Sequence, residues 1–508
     1  MVEHRSPKPT VVGSNPTLLA KKKKLEVIEV YTLSLISSRK VNWLHVGSIP
    51  TTSTKKNVYV LNELTVMLEV NGKYCKDVKI FTDNIEEEAM GQVLTIASCK
   101  AFEGQRIRIM PDVHAGKDIC IGFVGTVGNY INPSHVGVDI GCSISITEFD
   151  SPLPSDKYAE FNHKVLKSFG FGYDLSPSKE YSDKDLFDFL TKECNKMKSA
   201  HPQLFYGLPD KVTEEWITKL CNRLKISEKT FYWSINSIGG GNHFVEYDEG
   251  VDTNGVPHYA VAIHCGSRNF GLKVCSYWYK IANSGIPKRE MKEYAREFKE
   301  RYKKTHDSME EFGNDLKQFL DTKKVCNVNG YLSGENMHGY LCDMVIAMAY
   351  AKFNHMIIHK TIEKIMNVYG LRPVKKIMSR HNYIDFDCEV PVIRKGAIRS
   401  YRGEEMIVPF NMRDGIAICN GKSNDDWLCS CSHGSGRKMS RAKANESLSL
   451  DDFKKEMENV FSTTVGKGTL DEAPMAYKDT DEIKELIKDT CEIEYMLLPK
   501  INVKDSNR

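Results

Sequence analysis

The 508-residue sequence contains no Cys-x-x-Cys pair, no Gly-x-Gly-x-x-Gly and no glycine-rich loop followed in register by a Walker lysine. The first absence removes the zinc ribbon and the thioredoxin-like dithiol. The other two leave a conventional nucleotide fold without support. Net charge is nearly missing as well: 70 basic residues against 67 acidic ones leave +3, so any polyanion site must be local. The 15 cysteines are odd in number and scattered, with no recognisable secretory signal before them, which fits a reducing compartment, the cytoplasm, better than a disulfide scaffold. Even the longest apolar stretch, "DMVIAMAYAKFNHMIIHKTIEKIM", is broken by Lys352, Asn354, His355 and His359, and reads as a buried helix rather than a membrane span.

Residues 1–66 look foreign to the rest. "VVGSNPT" and "HVGSIPT" are near-copies of each other, set among "KKKK" and "TTSTKK" with little apolar period. A disordered basic extension is one explanation. The other is that Gly-Ser-Asn-Pro and Gly-Ser-Ile-Pro are what the T-arm of a transfer-RNA gene gives when read as codons, which makes this segment a translated leader and Met67 the native start.

From residue 67 onward no repeat or low-complexity linker divides the chain, and 41% hydrophobic residues can fill a large core. The expectation is one α/β (α+β) domain over 67–508, with mixed sheets and helical insertions. Asp83, with Glu86 three positions on, predicts a capping box ahead of an amphipathic helix bearing Ile85, Ala89, Val93, Ile96 and Ala97 on one stripe. "RIRIM" (106–110) reads as a strand and "PDVHAGKDICIGF" as a polar loop rising from it. "HVGVDIGCSISITEF" reads as an alternating strand with Asp139 and Cys142 on its front edge. Residues 155–230 and 283–325 carry helical spacing, and the charge run "KREMKEYAREFKERYKKTHDSMEEF" reads as a solvated helix face. Asn254-Gly255 between "HFVEYD" and "HYAVAIH" predicts a hairpin that makes His243 and His264 neighbours.

Five potential ligands then emerge from strand ends and glycine-rich turns: Asp139, Cys142, His243, His264 and His381. A thiolate that can bridge, a hard oxygen and three imidazoles suit borderline divalent ions such as Mn²⁺, Zn²⁺, Fe²⁺ or Co²⁺. Five ligands exceed a closed tetrahedral zinc site, which points to a central cleft holding two metals of the kind that serves phosphoryl transfer. His355 and His359 form a tempting i, i+4 pair, but the glutamate of HExxH is absent and the core reading wins. His433 opens "CSHGSGRKMSR", where Gly434, Ser435 and Gly436 allow close backbone approach to an anion or ribose, and Arg437 is placed to neutralise phosphate. An unprotonated imidazole there is a competent nucleophile toward phosphorus. With five other residues serving the metals, Cys429 and Cys431 fall back to structural thiols.

Nine motifs occur in one order: "MPDVHAGKDICIGF", "VGVDIGCSISI", "GGGNHFVE", "HCGSRN", "SRHNY", "RKGAIRSYRGE", "CSHGSGRKMSR", "DEAPMAYKD" and "INVKDS". In these the chain resembles the RtcB-type RNA ligases, GTP-dependent enzymes of tRNA splicing and RNA repair, over residues 67–504. The resemblance implies one Mn²⁺ on Asp139, Cys142 and His243 and a second on Cys142, His264 and His381. It makes His433 the histidine that becomes guanylylated. GMP contacts are implied at Asn242, His243, Phe244, Val245, Glu246, His381, Asn382, Pro409, Phe410, Asn411, Met412, His433, Gly434, Ser435, Gly436 and Lys504, with Glu246 and Lys504 suited to read guanine. Asp112 and His114 lie near the metals by the same likeness. The implied reaction joins an RNA 3′-phosphate or 2′,3′-cyclic phosphate end to a 5′-hydroxyl through histidine-GMP, with an archease-like activator as a further partner. One departure stands out: many members carry a "PGSMG" loop where this chain reads "VPFNMRDGIAICNG" (408–421), so Phe410, Asn411 and Ile416 imply a reshaped guanosine pocket. The competing enzyme class is a bimetal RNA phosphodiesterase or phosphatase, which would need neither His433 nor Lys504 nor GTP. A non-catalytic RNA-binding protein would leave the ligand set unexplained.

Overall fold

A computed structural model describes residues 33–36, 67–284, 288–305, 311–322, 328 and 330–505. In chain order its elements begin with β1 (Leu33–Ile36), β2 (Met67–Val70), β3 (Asp77–Ile80), α1 (Glu87–Ala97), β4 (Arg106–His114), β5 (Ile121–Thr126) and β6 (Ser143–Phe149). There follow α2 (Tyr158–Ser168), β7 (Gly170–Phe171), α3 (Asp183–Ala200), α4 (Glu214–Leu224), α5 (Glu228–Trp233), β8 (Ser237–Gly239), β9 (Phe244–Val251) and β10 (Pro257–Cys265). Helices α6 (Arg268–Ser284), α7 (Lys288–Thr305), α8 (Phe312–Thr322) and α9 (Gly334–Asn367) precede β11 (Pro373–Arg380), β12 (Asn382–Asp385), β13 (Val392–Lys395) and β14 (Ala397–Arg399). The chain closes with β15 (Glu405–Asn411), β16 (Gly415–Gly421), β17 (Ser430–Ser432) and β18 (Cys491–Val503).

Two seven-stranded sheets organise the domain. One runs β1-β2-β3-β4-β5-β13-β12 and is mixed, because β3 and β4 pair in parallel. The other, β11-β6-β10-β9-β18-β16-β15, is antiparallel throughout. His381 is the one residue between β11 of the second sheet and β12 of the first, so the chain crosses from sheet to sheet at a predicted ligand. The expected α/β (α+β) class holds, with α2 to α5 and α6 to α8 as the helical insertions. Apart from β1, which pairs with β2, the leader 1–66 lies outside the described residues.

Three local expectations are corrected. Helix α1 starts at Glu87 with Glu86 at its N-cap and no side-chain cap, so the Asp83 capping box does not form. The Glu86 carboxylate instead accepts the Ala115 N–H at 2.5 Å, while Ala89, Val93, Ile96 and Ala97 are buried as expected. "PDVH" is the end of β4 rather than a loop. Its polar groups are consumed in the interior, where Lys478 Nζ donates to the Pro111 carbonyl at 3.0 Å. Strand β6 begins at Ser143, after Asp139 and Cys142, and is buried at every position because it runs between β10 and β11 with both faces covered. The hairpin forms: β9 and β10 pair from Val251↔Pro257 to Phe244↔His264, with Asp252 accepting the Asn254 and Val256 amides in the turn.

Helix α9 packs into the core, with 83% of its most apolar window buried. Its His355 and His359 join one directed chain of hydrogen bonds. The Cys265 carbonyl can only accept, so His355 Nε2 donates to it (2.9 Å) and His355 Nδ1 accepts from the Ser145 hydroxyl (2.6 Å). Ser145 Oγ then accepts from His359 Nε2 (2.6 Å), and His359 Nδ1 accepts from the Thr147 hydroxyl (2.7 Å). Both histidines are core residues tying α9 to β6 and β10.

Candidate active site

The ligand set assembles where the two sheets meet. Asp139 and Cys142 stand in the turn before β6, His243 just before β9, His264 near the end of β10 and His381 at the crossing to β12. Two triads result, Asp139–Cys142–His243 and Cys142–His264–His381, each with its donor atoms within 4.8 Å of one another. His243 Nε2 lies 2.9 Å from Asp139 Oδ2 and 3.4 Å from Cys142 Sγ. His264 Nε2 lies 3.2 Å from the same sulfur and 3.3 Å from His381 Nε2. Cys142 belongs to both triads.

Backbone carbonyls set the tautomers. His243 Nδ1 donates to Ile238 O (2.9 Å) and His264 Nδ1 to Asn242 O (3.1 Å), so that both Nε2 atoms are directed inward. Burial, reinforced by the neighbouring imidazoles, holds His264 and His381 well below the ordinary histidine range, in the neutral form a metal needs. Burial raises the Cys142 thiol, and the adjacent Asp139 carboxylate raises it further, so without a cation the sulfur keeps its proton. Asp139 is held at about 2: burial opposes ionisation, but the hydrogen bond and charge of His243 prevail. Donor atoms gathered this closely, with protons between them that a metal would displace, are what a cation would satisfy, so the donor set fits two metal ions.

His433 follows β17 and faces the second triad, its ring centroid 5.0 Å from that of His381. Asp112, fully buried on β4, accepts from His433 Nδ1 at 2.6 Å and from the His433 backbone N–H at 3.1 Å. In the neutral ring this pair puts the proton on Nδ1 and the lone pair on Nε2. Gly436 has φ +70, and an added Cβ would lie 2.0 Å from the Asp112 carbonyl, so only glycine lets this loop close over β4.

A cavity of about 530 Å³ opens from this point, a size that suits a small-molecule ligand. Asn242, Phe244, Glu246, Pro409, Phe410, Asn411, Met412, Gly434, Ser435, Gly436 and Lys504 all line it, together with His264 and His433. Ile416 lines it too, so the departing 408–421 loop does shape the pocket. Lys504 Nζ donates to Asn242 O at 3.3 Å, which couples this end of the cavity to His264 through one carbonyl. Burial pushes the Glu246 carboxyl up, and Asn502 Nδ2 donates to it.

Four predicted contacts lie outside this lining: His243 and His381, which stand in the triads, and Val245 and Asn382. Alternation along β9 sends Val245 into the opposite core cluster with Tyr247 and Ile501, away from the cavity. Asn382 acts beneath the ligands: its Nδ2 donates to Asp139 O (3.3 Å), and its carbonyl accepts the Gly141 N–H (2.7 Å). Arg437, expected to neutralise phosphate, lines the cavity with its guanidinium held by the Asp471 carbonyl (2.6 Å) and Glu472 (3.4 Å). Glu472 is held at about 2: burial opposes its ionisation, and Lys504, Arg441 and Arg437 outweigh it. Neither Asp112 as the partner of His433 nor this Glu472 cluster was assigned from the residues. The signals present were "PDVH" and "DEAPMAYKD".

With this geometry in view, comparison with known proteins is decisive. The family model described as tRNA-splicing ligase RtcB matches residues 92–505. The chain belongs to the RtcB family of RNA ligases. RNA-splicing ligases RtcB1 and RtcB from two Escherichia coli strains are each 27% identical to it over 444 residues, 84% of this chain and 97% of the relative. The tRNA-splicing ligase RtcB of Archaeoglobus fulgidus is 24% identical over 457 residues, covering 79% of this chain and 88% of the relative. The paired triads are thus a feature of an RtcB ligase from this chain's own residues.

Proposed function

We propose that this ligase is GTP- and Mn²⁺-dependent and joins an RNA 3′-phosphate or 2′,3′-cyclic phosphate end to a 5′-hydroxyl through a GMP carried on His433. The observation that carries the reading is the Asp112–His433 pair, which in the neutral ring puts the lone pair on Nε2 at the mouth of a nucleotide-sized cavity beside both ligand triads. Asp139, Cys142 and His243 would hold one ion and Cys142, His264 and His381 the other. Bound there, the ions would neutralise phosphate oxygens in each transfer.

His433 Nε2 forms its bond to the α-phosphorus of GTP as the bond to pyrophosphate breaks, and Asp112 stabilises the imidazolium character that develops on the ring. Lys504 and Glu246 orient the base, and the 434–436 amides approach the ribose and phosphate. An RNA 3′-phosphate oxygen then takes the GMP, freeing His433. A 5′-hydroxyl next attacks the activated 3′-phosphorus and expels GMP. A bimetal phosphodiesterase would have no use for His433 Nε2 or for the cavity around it. RNA with broken or intron-cleaved ends is the substrate in this reading, the compartment is the reducing cytoplasm, and an archease-like protein is the activating partner.

Incubation with α-labelled GTP and Mn²⁺ should yield an acid-labile protein-GMP adduct that is absent from His433→Ala. Wild-type protein that forms no adduct with any divalent metal refutes the reading.

A further inference from the structure

The cavity does not border every ligand. Its lining includes His264 and His433 but none of Asp139, Cys142 and His243. Cys142, His264 and His381 are buried, whereas the Asp139 side chain keeps 25% of its surface open. Part of the Asp139 side chain therefore meets solvent outside that cavity, and its chain neighbour Val138 is itself 50% exposed.

Arg268 packs behind the first triad, where its charge also lowers Asp139. Its guanidinium donates to Ser237 Oγ (3.0 Å) and to the Gly172 carbonyl (2.7 Å). It crowds Gly239 so closely that an added Cβ there would lie 2.0 Å from Arg268 Nη1 and 2.5 Å from His243 Nδ1. One guanidinium thus separates Gly172 from a ligand of the first triad. Gly172, at φ +58, sits inside a tight turn closed by Asp174 N–H donating to Phe171 O at 2.9 Å, and its other side abuts the Asp505 carboxylate. The turn is held from three directions.

What this turn displays is Tyr173. Its relative exposure is 102%, while the next most exposed large apolar side chain, Val368, reaches 65%. Among the described residues its ring makes no aromatic or cation contact and its hydroxyl no hydrogen bond. A turn held in these ways therefore carries a whole aromatic face in water, one guanidinium removed from His243.

We propose that Tyr173 is a stacking platform for a nucleobase of the RNA strand whose terminal phosphate reaches the ligands over Asp139. Stacking suits an RNA end of varied sequence, because every base offers a π-face. A ring on a fixed turn loses little freedom on binding, so the contact acts mainly on affinity. The inference rests on the RNA-ligase reading and deepens it.

The test uses the full chain with GTP, Mn²⁺ and purified RNA oligonucleotides, with no other protein present. Tyr173→Ala should raise KM for the 3′-phosphate strand by about tenfold, the scale of a lost base–aromatic stack. Its kcat and its guanylylation should stay near wild type, and Tyr173→Phe and Tyr173→Trp should restore KM. Scanning an abasic site through the strand should find one position at which wild type falls to the level of Tyr173→Ala and the variant loses nothing more. An unchanged KM in Tyr173→Ala, or abasic losses equal in both proteins at every position, overturns the proposal. Quenching of 2-aminopurine placed in the strand reports binding without chemistry. Wild type that quenches through Tyr173 yet forms no protein-GMP would sink the functional reading and leave the platform standing.

Discussion

Two sets of buried histidines, one on helix α9 and one at strand ends, are treated in opposite ways by the protein around them. His355 and His359 have every ring nitrogen assigned to a protein partner of the right polarity, from Thr147 through Ser145 to the Cys265 carbonyl. His243 and His264 have only Nδ1 assigned in that way, and each Nε2 faces a sulfur, a carboxylate or another Nε2. Burial is common to both sets. What separates a structural histidine from a ligand here is whether the protein completes its hydrogen bonding or leaves one lone pair for an ion.

The largest break in this contrast should come from Cys142→Ala. It removes the one atom shared by both triads, so both metals should be lost and ligation abolished, while the Thr147–His359 chain stays intact. Metal analysis after dialysis checks this, and a variant that keeps two ions per chain contradicts it. Asp112→Asn should come next. The amide cannot serve both the His433 backbone and ring N–H groups as an anion does, so guanylylation should fall by roughly 10²–10⁴ with metal content unchanged. A drop below about tenfold would remove Asp112 from its assigned role.

The smallest effect concerns the structural set and pH. Burial holds His355 at about 4, below the ordinary value of about 6.5 that the unfolded chain would show. Since the folded value is the lower one, its contribution to stability is complete above about pH 6.5 and is lost as pH falls toward 4. One such group accounts for on the order of 2–3 kcal/mol across that window. Denaturant titrations of metal-free protein between pH 7 and 4.5 should therefore show a shallower pH slope for His355→Gln than for wild type, and equal slopes would contradict the assignment.

Much of the site was legible because its residues sit at sequence-local punctuation. Asp139, Cys142, His243, His264 and His381 all lie at strand ends or glycine-rich turns, and the Asn254-Gly255 hairpin brings two of them together without help from the rest of the fold. The core role of His355 and His359 was legible from the apolar helix around them. The misread parts depend on contacts distant in sequence. "PDVH" looks like a loop because it is polar, but Asp112 meets His433 and Pro111 meets Lys478 more than 300 residues away, so the polarity is satisfied inside a strand. Val245 was named with its neighbours, and only the alternation of β9 shows that it points to the other face. Tyr173 carries no motif at all, and its setting depends on Arg268 and Asp505.

Strand β18 has a consequence for how the enzyme comes into being. It lies between β9 and β16, and it leads directly to Lys504 on the cavity wall. Until residues 491–503 emerge from the ribosome, β9–β10 and β15–β16 are separate hairpins with nothing between them. The nucleotide site is therefore closed only after the rest of the chain has been made. In the proposed reading, a chain that stops before β18 would keep Asp139, Cys142, His243, His264 and His381 and lack the Asn502 and Lys504 wall of the cavity.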